Sequence, residues 1–260
     1  MLALVVLAAC RSATTAPAPG PAVDRAAVWL AAFPPDQLRF DAAIGLSQIV
    51  RKADSEPARR AYAAARARAD RDDDSPLRRI FDDTARVPAG AINRWTVPGP
   101  GQPRANVNRP VAEALHCDEH GLRPGVLAYL GGPMRDGGGY ETAHALWALV
   151  LARDHGCLDG AQFAAVAGPL VDELRAAQPA TPPPAVLAVD LYAERLLMLV
   201  LAGERDAAIA TWATALIRAQ RADGSFGVLG PSDPPYFQFH ATLASAWALA
   251  EWASSRPVER

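Results

Sequence analysis

Tyr140, Asp190 and His240 fall 50 residues apart, and Trp147, Leu197 and Trp247 keep the same spacing. Trp147-Ala-Leu149 recurs as Trp247-Ala-Leu249, each inside an Ala-rich apolar run. A fixed period of this length marks stacked supersecondary units that bury one continuous core. Apolar residues recur at spacings of three and four, and strand alternation is nearly absent. The pattern predicts helices near 24–33, 39–53, 56–70, 111–120, 140–155, 161–177, 186–202, 206–222 and 237–254, separated mostly by Pro-, Gly- or Asp-rich turns. The run 40–46, Phe-Asp-Ala-Ala-Ile-Gly-Leu, reads as a further first helix of the repeat, although the period does not extend through 70–110. The expected fold is all-α.

A helix that is apolar on every side must be buried, whereas one with a single apolar stripe can form a shell. Alternating the two kinds, as 140–155, 161–177, 186–202, 206–222 and 237–254 do, gives an inner and an outer ring. The turn Gln220-Arg-Ala-Asp-Gly-Ser-Phe-Gly227 resembles the repeated turn of the terpene-cyclase and prenyltransferase toroids. Arg135-Asp-Gly-Gly-Gly-Tyr140 looks like a degraded copy. This resemblance spans 131–252 and implies an α/α toroid of helical hairpins, with an irregular helical bundle or an α-solenoid as alternatives. Toroids host cyclases, transferases, glycan lyases and hydrolases, and binding proteins, so the resemblance implies an architecture rather than an activity.

The N-terminus carries an address. Met1-Leu-Ala-Leu-Val-Val-Leu-Ala-Ala-Cys10 is too short an apolar run for a bilayer span of roughly 20 residues. It resembles an export signal ending in the lipobox of bacterial lipoproteins, although no Lys or Arg precedes it. That resemblance implies a signal peptide over 1–9, lipid on Cys10, a Pro-rich tether over 10–22 and a folded body over 23–260. The chain would then sit in the bacterial cell envelope, with the membrane as its partner through Cys10. The net charge of −2 is interspersed and offers no basic face for nucleic acid. Of three cysteines, Cys117 and Cys157 remain once Cys10 is set aside. In an exported protein such a pair is most simply a disulfide, with two buried free thiols as the alternative.

Candidate chemistry lies on the predicted inner helices. Glu141 and His144 lie three apart, and Asp190 and Glu194 four apart, so each pair shares a helix face. His240 aligns with Tyr140 and Asp190, and Asp41 with Glu141. Converging on a central cavity, Glu141, His144, Asp190, Glu194 and His240 could act as general acids and bases. Asp41, Tyr140, Trp147, Tyr236 and Phe237 would contact the ligand. The same polar groups could instead cap helices or pair with arginines such as Arg195.

Two literal motifs are set aside. His116-Cys-Asp-Glu-His120 spells the inverted zincin pattern, but Gly121-Leu-Arg-Pro124 stops the helix at once and a disulfide at Cys117 would constrain it. Asp70-Arg-Asp-Asp73 spells the D-x-D-D of proton-initiated terpene cyclases, but sits in an Arg-rich, solvated charge run. Trp95 and Arg94, in the Pro- and Gly-rich stretch 87–110, are candidate contacts in a loop over the cavity mouth. No metal and no cofactor is expected. The expected function is an envelope lipoprotein that binds, and by extension could cleave, a glycan or similar extended ligand. The alternatives are a non-catalytic scaffold lipoprotein and an isoprenoid-processing toroid enzyme.

Overall fold

The computed structural model describes residues 18–71, 75–98, 102–103 and 105–254. Cys10 and most of the expected tether lie outside them. The described residues form an all-α fold, whose one ladder-like contact is an isolated bridge between Ala185 and Val228. Twelve helices follow in order: α1 Pro19–Ala31, α2 Phe40–Ala53, α3 Glu56–Ala69, α4 Ala89–Ile92, α5 Asn108–Leu115, α6 Cys117–His120, α7 Val126–Tyr129, α8 Gly139–Asp154, α9 Gly160–Ala177, α10 Val186–Ala202, α11 Ala207–Ala219 and α12 Pro235–Ser254.

The two kinds of helix separate as their faces require. On α8, α10 and α12 residues are buried around the whole circumference. By contrast α9 buries only Ala167, Leu170 and Leu174, and α3 only the alanine stripe Ala58, Ala61, Ala65 and Ala69. α10 packs between α8 and α12, α12 reaches on to α2, and α5 lies against α8. α9 and α11 pack alongside α8, α10 and α12, while α1 and α3 lie against α12 and α2. Local signals set the helix starts. Asp159 and Gln162 form a capping box at α9, and Asp206 caps α11 through the amides of Ala208 and Ile209.

Two boundaries differ from expectation. α1 begins at Pro19 rather than near residue 24, and Ala22 is buried, so 19–22 belong to the folded body rather than to the tether. Proline suits the first turn of a helix because the amide it lacks would be unpaired there anyway. The single helix expected at 111–120 breaks at His116 into α5 and α6.

His116 is fully buried, and its Nε2 donates to the Pro76 carbonyl at 2.8 Å. Nε2 of His120 donates to Val87 O at 3.0 Å. Both imidazoles therefore hold the 75–87 segment in place, which absorbs the zincin-like spacing. Trp95 is likewise structural. It is buried against Tyr129, with the Arg123 guanidinium over its ring, and Arg123 is in turn locked by the buried carboxylate of Glu113.

Among the described residues, no helical hairpin joins α2 to α5. The stretch 75–81 does so instead: Gln48 donates to Ile80 O and Arg79 to Leu115 O. The turn Gln220–Gly227 is a second staple. Its Gln220 amide donates to the carbonyls of Ala22 on α1 and Gly224, and the Phe226 amide donates to Thr242 on α12. Gly224, at φ +92°, lies so close to α1 that a Cβ there would sit 2.5 Å from Arg25 O.

Cys117 and Cys157 form a disulfide that joins α6 to the turn after α8. The cross-link closes a sequence separation of 40 residues, for which chain entropy gives about 4 kcal/mol of stabilisation. Replacing both cysteines by serine should therefore lower the melting temperature by about 8–16 °C. An unchanged melting curve would show that hydrogen bonds and packing alone hold this corner.

Candidate functional site

The repeat period maps onto the wall of a cavity of about 700 Å³. On α8 the wall is Tyr140, His144 and Trp147; on α10 it is Glu194, Leu197 and Met198; on α12 it is His240, Leu243, Ala244 and Trp247. These are i, i+3, i+4 and i+7 positions, the residues that share one helical stripe. α2 adds Phe40, Asp41, Ile44 and Gly45. A Cβ on Gly45 would lie 2.7 Å from Leu243 Cγ, so glycine there lets α2 approach α12 and brings Asp41 towards His240.

A second cavity of about 350 Å³ shares Trp147 and Trp247 with the first. It takes its helical walls from later positions: Gln48 and Arg51 on α2, Val150 and Asp154 on α8, Leu201 on α10. The four inner helices therefore run in the same direction. The two indoles, edge to face with centroids 6.1 Å apart, lie between the cavities.

The polar end of the first cavity is one connected group. Asp190, buried on α10, accepts from Tyr140 OH of α8 at 2.6 Å and from His240 Nδ1 of α12 at 2.8 Å. His240 Nε2 lies 3.8 Å from Asp41 Oδ2 and 3.9 Å from Glu194 Oε1. Tyr236 OH donates to the other oxygen of Asp41, and Arg39 stacks on the Tyr236 ring. His144 Nδ1 donates to the Tyr140 carbonyl at 2.8 Å, which leaves its Nε2 as an acceptor. Glu194 Oε2 is buried without a hydrogen-bond partner; the nearest cationic candidate, His144 Nδ1, is 3.9 Å away and already committed.

The environment pushes these groups apart in acidity. Burial, then the charges of Asp190 and Asp41, raise the Glu194 carboxyl to about 8 against the partial opposition of His240. Burial pulls His240 down, but its hydrogen bond to Asp190 and the charges of Asp190, Glu194 and Asp41 outweigh it and bring it up to about 10. Burial, against the bond to the Tyr140 carbonyl and aided by the charge of His240, lowers His144. Burial first, then Asp190 and Asp41 respectively, raise the phenols of Tyr140 and Tyr236, so both remain donors. Asp190, Glu194 and His240 each offer one ligating atom within 4.8 Å of the others, the one such grouping among the described residues.

The structure thus brings His144, Asp190, Glu194, His240, Asp41, Tyr140, Trp147 and Tyr236 together. Glu141 and Phe237 are half-buried and do not line the cavity. With 100° per residue, Glu141 shares a stripe with His144 but lies well round the helix from Tyr140 and Trp147, the side that faces inward. Ser75, Leu77, Val107 and Asn108 also line the wall. They come from the stretch where the repeat is lost, so no periodic signal marks them. Arg39 precedes α2 and carries no motif. Comparison with protein-family models, with curated proteins and with solved structures gives no match to this chain.

The raised pKa values make stability depend on pH in a defined direction. Glu194 is raised from 4.5 to about 8 and His240 from 6.5 to about 10. A raised group contributes most below its unfolded value and loses that contribution as pH climbs through its folded value. The melting temperature, measured with a chelator present, should therefore fall from pH 5 to pH 10. Glu194→Gln should flatten the part below about pH 6.5 and leave the later loss attributable to His240. A curve that is flat or rises across this window would contradict the assignment.

Proposed function

We propose that this chain is a lipid-anchored protein of the bacterial cell envelope, built as an α/α toroid, whose ring cavity binds a glycan. The observation that carries the reading is the Glu194 carboxyl: nine-tenths buried, on the cavity wall, with one oxygen unpartnered. A buried polar atom left without a partner is costly, and a ligand hydroxyl would satisfy it. Asp41 and His144 Nε2 add acceptors, and Trp147 and Trp247 offer aromatic surface for a sugar ring. The volume of about 700 Å³ lies inside the range of about 300–1,000 Å³ usual for ligand sites. An isoprenoid would suit the apolar walls but would bury Asp190, Glu194 and His240 against hydrocarbon, which is unfavourable.

The anchor rests on the lipobox-like Leu7-Ala-Ala-Cys10, and the disulfide fits an oxidising compartment. No helix among the described residues is long and apolar enough to cross a membrane. With its own leader, the protein should fractionate with membranes and incorporate an alkyne-tagged fatty acid. Cys10→Ser should abolish both, and labelling that survives the change would remove the anchor from the reading.

Binding is tested by calorimetric titration of the body from Ala18 with β-1,4-linked N-acetylglucosamine oligomers, maltooligosaccharides and uronate oligomers, with a chelator present. One class should saturate at one site per chain. Glu194→Met keeps the side-chain volume and removes both oxygens, so affinity should fall about ten- to a hundredfold. Trp147→Ala should cost about three- to tenfold through lost ring contact. If no class binds at millimolar concentration, the cavity is not a glycan site and the scaffold reading takes its place. Release of shorter fragments would extend the function to cleavage, with Glu194 and His144 as the acid and base.

A further inference from the structure

We infer that the Asp190–Glu194–His240 group is a binding site for one divalent transition-metal cation. The inference rests on the reading of the ring cavity as a ligand site, though not on the ligand being a glycan. Three features of the geometry carry it.

The first is distance. Two ligands each about 2.1 Å from one zinc-like ion can be no more than about 4.2 Å apart. His240 Nε2 and Glu194 Oε1 are 3.9 Å apart, inside that span, while Nδ1 of the same ring, which cannot reach the same ion, holds Asp190 Oδ1 at 2.8 Å. One atom from each of the three residues falls within 4.8 Å of the others, so closure needs the ligands to draw in by up to about 0.6 Å. Asp41 Oδ2, 3.8 Å from His240 Nε2, is a third carboxylate and a fourth candidate ligand, and can close the shell from α2.

The second is the unsatisfied oxygen. Hydrogen bonding within the protein accounts for both oxygens of Asp190 but leaves Glu194 Oε2 with no donor, although that side chain is nine-tenths buried on the cavity wall. Arg39 is the one arginine on this wall, and it is stacked on Tyr236 rather than reaching Glu194. A cation replaces the donor that the protein does not supply.

The third is support behind the ligands. Tyr140 OH holds Asp190 Oδ2 at 2.6 Å, and Tyr236 OH holds Asp41 Oδ1. Carboxylates at metal sites are fixed in this way by outer hydrogen bonds, which orient the oxygen that ligates. The donor set of one imidazole nitrogen with carboxylate oxygens suits zinc or manganese rather than calcium or magnesium, which take oxygen alone. Open positions on such an ion would face the cavity, where ligand hydroxyls or water could complete it.

The test uses the untagged, disulfide-intact body from Ala18, stripped with chelator and titrated calorimetrically with ZnCl₂ and, separately, MnCl₂, without any sugar. One site per chain is expected, with mass spectrometry under native conditions showing one added ion. Glu194→Gln and His240→Asn should each weaken binding by at least about tenfold, within the range typical of altered metal-site hydrogen bonding. Cooperative melting of each variant checks that it is folded. The half-buried, rim-placed Asp41→Asn should weaken binding less. Wild-type protein that binds neither ion with one-to-one saturation up to millimolar concentration overturns the inference, as does wild-type affinity in folded Glu194→Gln and His240→Asn. Sugar binding in chelator without metal binding would sink this inference alone. Metal binding without sugar binding would sink the glycan reading alone.

Discussion

The Asp190 carboxylate sits where three inner helices meet. One oxygen takes the Tyr140 hydroxyl of α8 and the other takes the His240 imidazole of α12. A carboxylate this deeply buried is tolerated only with its lone pairs satisfied; stripping a partner from a buried ion pair costs about 3–5 kcal/mol. The partners in turn fix the rotation of their helices. With Tyr140 and His240 turned to Asp190, the positions one and two turns later must face the same space. Trp147, Leu197 and Trp247 then form the apolar part of the wall. The polar group and the cavity are therefore consequences of one register.

That register also explains why the site is acid-rich without being neutralised. Asp41, Asp190 and Glu194 converge on one imidazole, and Glu194 shares a helical stripe with Asp190 one turn away. The cheapest resolution in the free protein is to keep one carboxyl protonated, which is the direction in which Glu194 is driven. A ligand hydroxyl or a metal ion would resolve the same excess by another route. The aromatic pair Trp147 and Trp247, lying between the two cavities, gives the same space a surface suited to a ring.

The remainder of the molecule holds this arrangement closed. The stretch 75–81, with a single 3-10 turn at Arg78–Ile80, links α2 and α5, fixed by Gln48, Arg79 and the buried His116. The disulfide and the Arg79–Asp118 fork secure α6 beside it. On the other side, the Gln220–Gly227 turn ties α1 to the start of α12, and the amide of Val186, the first residue of α10, bonds Val228 just beyond it. Structural duty thus absorbs the residues whose spacing most resembled a zinc peptidase, while the candidate chemistry lies on helices with no familiar motif.

The sequence by itself determined the helices and which of them are inner, because burial on every side can be read from composition along a helix. It also marked part of the cavity wall. A 50-residue period puts Tyr140, Asp190 and His240 at one level and Trp147, Leu197 and Trp247 at another, whatever the intervening turns do. Only the tertiary structure decided that Glu141 turns away from the cavity, that Phe237 does not reach it, and that Trp95 is core. Each of those depends on rotations of a few tens of degrees, set by contacts between segments far apart in the chain. The tertiary structure also supplied Ser75, Leu77, Val107 and Asn108 from the aperiodic region, where hydrogen bonds from distant side chains such as Gln48 and His116 fix the 75–81 stretch. Above all it decided which charges meet. The acidity of Glu194 and His240 comes from neighbours on other helices, and Coulomb and desolvation effects depend on distances in space that no spacing along a chain contains.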